Sequence, residues 1–167
     1  MLIDEIKKDL LSSQKEKKET AVSTLRLLLS AIVNKEKEKR LKIAEENFNL
    51  SEEELIKRSV LTDEEAMAVV SSEVKKRRDS IMAFEKGKRQ DLVEKETEEL
   101  NILKKYLPEE MSEEEIRKLI KEAIVKIKAQ GMKDIGLVMK EIIPQTKGRA
   151  DGNTVARIVK EELETPA

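Results

Sequence analysis

The sequence predicts an all-α protein, with an N-terminal helical, bundle-like domain followed by a small three-helix tail. Three observations carry this. Apolar residues recur at spacings of three and four along almost the whole chain, the period of a helix with one buried face. Serine or threonine followed three residues later by glutamate opens several of these runs, the signature of a capped helix start. Five glycines and three prolines in 167 residues leave few places to turn, and no stretch alternates as a strand does.

Composition excludes several chemistries. The chain has no Cys and no His. Disulfides, thiolate and imidazole metal sites, and Cys-His or Ser-His-Asp catalysis are therefore ruled out. Charged residues make up 41% and hydrophobic residues 38%, but the apolar positions are periodic, which argues against disorder. No apolar run approaches the length of a membrane span, and the N-terminus lacks a signal-peptide pattern. The expectation is a soluble, cytoplasmic protein.

The elements follow in order. Leu2, Ile3, Ile6, Leu10 and Leu11 share one helical face, opposite Lys7, Lys8 and Asp9. Thr20 is placed to cap a second helix striped by Val22, Leu25, Leu28, Leu29, Ile32 and Val33. Its charged continuation, Asn34 to Arg40, offers Glu36 and Arg40 as an i, i+4 pair. Residues 45–50 have no period and read as a loop, and the Ser51/Glu54 pair then starts a short helix. Thr62 with Glu65 opens a helix through Met67, Val70, Val74, Ile81 and Phe84, ending near Gly87. Asp91 with Glu94 resembles another start, for a helix stopped by Pro108. Ser112 with Glu115 opens the next, which should run to Gly131, and Asp134 should cap its successor. The expected boundary falls at Leu107–Met111, giving domains 1–107 and 108–167, with 43–60 an insertion in the first.

The stretch Pro144 to Thr154 then reads as a glycine-shaped turn between two short helices. Pro144 should end the first, Asp151 should cap the second, and Gly148 and Gly152 permit positive φ. Lys147 and Arg149 project from it. Between Lys126 and Lys160 eight basic residues (Lys126, Lys128, Lys133, Lys140, Lys147, Arg149, Arg157, Lys160) face three acidic ones (Asp134, Glu141, Asp151), so 8 − 3 gives +5. Such a local field around an ordered turn suits an anionic partner; lysines that merely solvate short helices are the plainer account.

Other charge clusters read as structural. Lys75 to Arg78 spreads around a helix, and Glu73–Arg77 and Lys75–Asp79 are available as pairs, so a solvated face explains it better than a phosphate surface. The glutamates after Ser51 and Ser112 sit where a helix dipole favours negative charge, so no metal is called for. No serine stands in a glycine elbow, and no Walker or dinucleotide loop is present. Residue chemistry alone leaves enzyme, nucleic-acid-binding module and helical adaptor open.

The order of several segments narrows this. Thr24 to Ile32, Leu61 to Glu96, Tyr106 to Glu109, Lys133 to Met139 and Lys147 to Gly152 together resemble the YqeY family across nearly the whole chain; residues 43–60 depart from its compact members. The resemblance implies an N-terminal helical domain and a tail similar to the C-terminal domain of GatB, the tRNA-engaging component of the tRNA-dependent amidotransferase. That enzyme amidates glutamyl-tRNA(Gln) or aspartyl-tRNA(Asn), and the GatB tail engages the tRNA body. The matching positions are Gly136, Lys147, Gly148, Arg149, Ala150, Asp151 and Gly152. The expected function is a tRNA-binding accessory protein, not catalytic alone and without a cofactor or metal. Lys140, Lys147, Arg149, Arg157 and Lys160 would contact RNA, while Gly136, Gly148, Asp151 and Gly152 would shape the turn. Its partners would be tRNA and an aminoacyl-tRNA or amidotransferase enzyme. The alternatives are a carbon–nitrogen ligase component with glutamine as amido donor, and a protein–protein adaptor.

Overall fold

The computed structural model describes residues 1–164. Among these every regular element is a helix: α1 (Leu2–Lys15), α2 (Glu19–Glu46), α3 (Glu52–Ser59), α4 (Asp63–Lys86), α5 (Gln90–Lys104), α6 (Glu113–Ile127), a 3₁₀ turn (Met132–Asp134), α7 (Ile135–Thr146) and α8 (Gly152–Glu164). Contacts divide it into two compact units, one ending at Leu107 and the other opening at Pro108.

In the first unit α1, α2, α4 and α5 close around Ile6, Leu25, Leu28, Ile32, Ala66, Val70 and Leu103, all but Ala66 and Leu103 on the apolar stripes named from the sequence. Leu11 and Val33, expected on the same stripes, stay exposed. Tyr106 is buried beside this core, and its hydroxyl donates to Asp9 at 2.7 Å. A buried phenol needs such a partner. Burial and the neighbouring carboxylate both push its ionisation above the ordinary tyrosine value.

Three capping boxes form reciprocally at Ser51/Glu54, Thr62/Glu65 and Ser112/Glu115. Three other expected starts differ: Asp134 precedes α7, but its carboxylate makes no cap bond and accepts from the Gln130 amide instead. α2 begins at Glu19 behind Lys18, with Thr20 inside the helix, its carbonyl accepting from Ser23 and Thr24. At α5, Asp91 binds Arg89 in a bidentate pair at 2.8 and 3.0 Å and caps nothing.

Helix ends also depart from the glycine rule. Lys17, Lys88 and Lys128 hold the left-handed conformation, with φ of 56°, 55° and 56°. Each is followed by a bond reaching back five residues: Lys18 to Ser13, Arg89 to Phe84 and Ala129 to Ile124. This is the Schellman closure, usually built on glycine. Hence α4 turns at Lys88 rather than Gly87, and α6 stops at Ile127, short of Gly131.

Residues 43–60 comprise the end of α2, a short loop and α3, which packs along α2. Ser59 is buried; its hydroxyl donates to the Ile56 carbonyl and accepts from Arg40 Nε at 3.2 Å. Lys39 donates to the Val60 carbonyl, and Glu36 accepts from the Leu61 amide. Glu36 and Arg40 thus reach across to this segment instead of pairing with each other.

Arg77 also finds partners off its own helix. It meets Glu96 at 3.2 Å and Glu99 at 3.0 Å on α5, while Glu73 pairs with Lys76. Glu99 Oε2 lies at ion-pair distance from Arg77 but lacks hydrogen-bond alignment, and Arg77 Nε has no partner.

In the second unit α6, α7 and α8 close on Ile116, Ile120, Val138, Ile142, Val155, Ile158 and Val159. Arg117 ties α6 to Glu161 and Glu162 of α8.

Candidate nucleic-acid interface

The site is built around the α7–α8 connection. α7 does not stop at Pro144: the proline lies in its last turn, and the helix continues to Thr146. Thr146 is buried, and its hydroxyl returns to the Ile142 carbonyl. The true turn is Lys147–Asp151. Thr146 O accepts from the amides of Arg149 at 3.0 Å and Ala150 at 2.9 Å. Between them Gly148 sits at φ +74°, where a side chain would be strained. Asp151 then caps α8 as expected: its Oδ2 accepts from Asn153 N at 3.0 Å and Thr154 N at 3.1 Å.

Gly152 is the first residue of α8 and is not at positive φ. Gly136 is not in the turn; it is the second residue of α7. Of the four positions expected to shape the turn, Gly148 has the positive φ and Asp151 makes the cap.

The basic residues separate into two kinds. Arg149 is half-buried and anchors the turn to the segment before α6: its carbonyl accepts from Met111 N at 2.8 Å, and its Nε donates to Glu109 O at 3.3 Å. Arg157 bridges Glu113 and Glu161, each at 2.6 Å. The hydrogen bond to Glu161 leads the effects that hold its guanidinium above the ordinary arginine value. Both arginines thus have structural roles that the sequence did not disclose. Lys140, Lys147 and Lys160 are exposed. Lys140 lies two helical turns before Lys147, and Arg157 and Lys160 are one turn apart on α8.

Lys133, counted in the basic segment but not among the expected RNA contacts, is also exposed, and its Nζ donates to Gln130 Oε1 at 3.4 Å. Its signal was available: Lys133, Lys140 and Lys147 are spaced by seven.

No group of carboxylates among the described residues is placed to hold a metal. The first unit contains an open groove of about 720 Å³ between α2 and α4, lined in part by Lys35, Lys39, Lys42, Glu38, Glu65 and Glu73. Lys39 and Glu65 close across it at 2.7 Å, and Lys35 pairs with Glu38. No helix of the described residues is long and apolar enough to cross a membrane.

This all-helical, two-unit chain belongs to the YqeY family: the model for Yqey-like proteins matches residues 47–163. The matched range takes in α3, the turn and most of α8. Two curated proteins are similar. One, from Pyrenophora tritici-repentis, carries the name "Altered inheritance of mitochondria protein 41, mitochondrial"; it is 27% identical over 164 residues, covering 96% of this chain and 80% of its own length. The other is an uncharacterized protein of Schizosaccharomyces pombe, 34% identical over 107 residues, covering 64% of this chain and 72% of its own.

Proposed function

We propose that the protein is a tRNA-binding accessory protein, related to the tRNA-dependent amidotransferase machinery and not catalytic alone. The observation that carries the reading is the +5 segment from Lys126 to Lys160, which contains α7, an ordered turn and most of α8. Lys140, Lys147 and Lys160 are exposed on it. Lysines on a rigid frame bind phosphate as point charges, and the term is independent of sequence. Arg149 and Arg157 would support the frame rather than touch RNA, since their guanidinium groups already bind protein. A cytoplasmic setting accords with a chain that has no cysteine.

The test is filter binding of total tRNA to the full chain at low salt. Retention that falls steeply with salt supports the reading, and no retention contradicts it. The ligase reading, in which the protein takes part in amide transfer from glutamine, rests on the tail's resemblance to GatB. A glutaminase assay on the purified protein, with and without ATP and tRNA, separates it: ammonia release would favour the ligase.

A further inference from the structure

We infer that the outward face of α7 is a ridge that lies along a double-helical RNA stem and holds it by the sugar–phosphate backbone. Lys133, Lys140 and Lys147 are its contacts, and Gly136 is its point of closest approach. The inference rests on the RNA reading above and names the form of RNA that this face takes.

Four observations support it. First, the three lysines are exposed and seven residues apart. Lys140 lies on α7, Lys133 in the 3₁₀ turn that leads into it and Lys147 directly after its last residue, so the three mark the start, middle and end of this element. Second, the two carboxylates next in sequence to Lys140 and Lys133 are engaged elsewhere. The one carboxylate of α7, Glu141, is bound by Lys126 of α6, and Asp134 accepts from the Gln130 amide. Val138, Ile142 and Thr146 occupy the opposite, buried side.

Third, Gly136 has no structural reason to be glycine. Its φ is not in the positive region, and a Cβ built there meets nothing within 4 Å. A missing side chain on an exposed helical face leaves room for a ligand's backbone to approach. Fourth, all three aromatics of the chain, Phe48, Phe84 and Tyr106, precede residue 108. The tail therefore offers no ring on which unpaired bases could stack, the usual platform for single strands. Bases that stay stacked in a helix need none. Leu137 and Ile143, 59% and 52% exposed, flank the lysines and give their aliphatic stems an apolar surface to lie on.

The test compares a fully paired RNA hairpin with oligouridine of equal length, using fluorescence anisotropy on the full chain across a salt series. The hairpin should bind more tightly. Lys133→Ala should make the slope of log K against log salt shallower by about one unit, and the triple Lys133→Ala/Lys140→Ala/Lys147→Ala variant by nearly three. Gly136→Gln should leave the melting temperature unchanged or raised, yet weaken hairpin binding several-fold; a merely structural glycine would give the reverse. Hairpin binding by the wild type with unchanged slope in the triple variant overturns the ridge and leaves the RNA reading standing. Tighter binding of oligouridine overturns the duplex assignment, and unchanged hairpin affinity in Gly136→Gln overturns the close approach. Absence of binding to either RNA overturns the RNA reading and the ridge with it.

Discussion

Arg149 and Met111 are joined backbone to backbone, the Met111 amide donating to the Arg149 carbonyl at 2.8 Å. The Arg149 side chain reinforces the link through the Glu109 carbonyl. The α7–α8 turn is therefore pinned to the chain entering α6. Arg149→Ala should keep the backbone bond, lose the side-chain one, and lower stability by about 0.5–1 kcal/mol. Thermal melts would show this. An unchanged melt accompanied by a shallower salt slope for tRNA would mean that Arg149 is an RNA contact after all.

The left-handed lysines make a second prediction. A non-glycine residue in this conformation costs about 1–2 kcal/mol, partly offset because glycine gains freedom in the unfolded chain. Lys17→Gly, Lys88→Gly and Lys128→Gly should each stabilise the fold by about 0.5–1 kcal/mol. Urea titration of the three variants checks it; uniform destabilisation would count against the assigned closures.

Arg77 makes a third. Arg77→Ala leaves Glu99 buried without its counter-charge, a loss of about 3 kcal/mol on the scale of broken buried pairs. Arg77→Met combined with Glu99→Leu should recover part of it, because the more buried carboxylate goes with its partner while Glu96 stays behind. A double variant as unstable as the single one would show that packing, not charge, dominates there.

Acid stability supplies a fourth. Hydrogen bonds donated by the backbone amides of Ser51 and Ser112 are the main cause holding Glu54 and Glu115, respectively, below the ordinary value of 4.5, while a bond from Lys39 leads for Glu65. A carboxylate with a depressed folded pKa stabilises fully above its unfolded pKa and loses that contribution as pH falls through the folded one. Melting temperature should therefore fall below about pH 4.5, and Glu115→Gln, which keeps an acceptor but does not titrate, should flatten that acid limb for the tail. An acid limb of unchanged steepness would contradict the capping account.

These sites also show what is legible in the sequence. The three capping boxes are, because each is settled by four consecutive residues. The apolar stripes are, because burial follows helical period. Asp91 misleads because Arg89, two residues away, offers it a stronger bidentate partner than a helix amide. Pro144 misleads because its missing amide falls in the last turn of a helix that packs well through Val138, Ile142 and Thr146. Glu36, Arg40 and Arg77 find partners on other segments, and no local spacing encodes those. In the candidate site the same division holds. Gly148 and Asp151 are readable from turn chemistry, whereas the structural duties of Arg149 and Arg157 depend on Glu109 and Glu113, some 40 residues earlier.

The most direct measurement is tRNA binding by the Lys140→Ala/Lys147→Ala/Lys160→Ala variant beside the wild type, by filter retention over a salt series, with a melt of each protein. An unchanged melt, weaker binding and a slope shallower by nearly three units are expected if these lysines hold the RNA. Equal affinity and equal slope in the two proteins would contradict it.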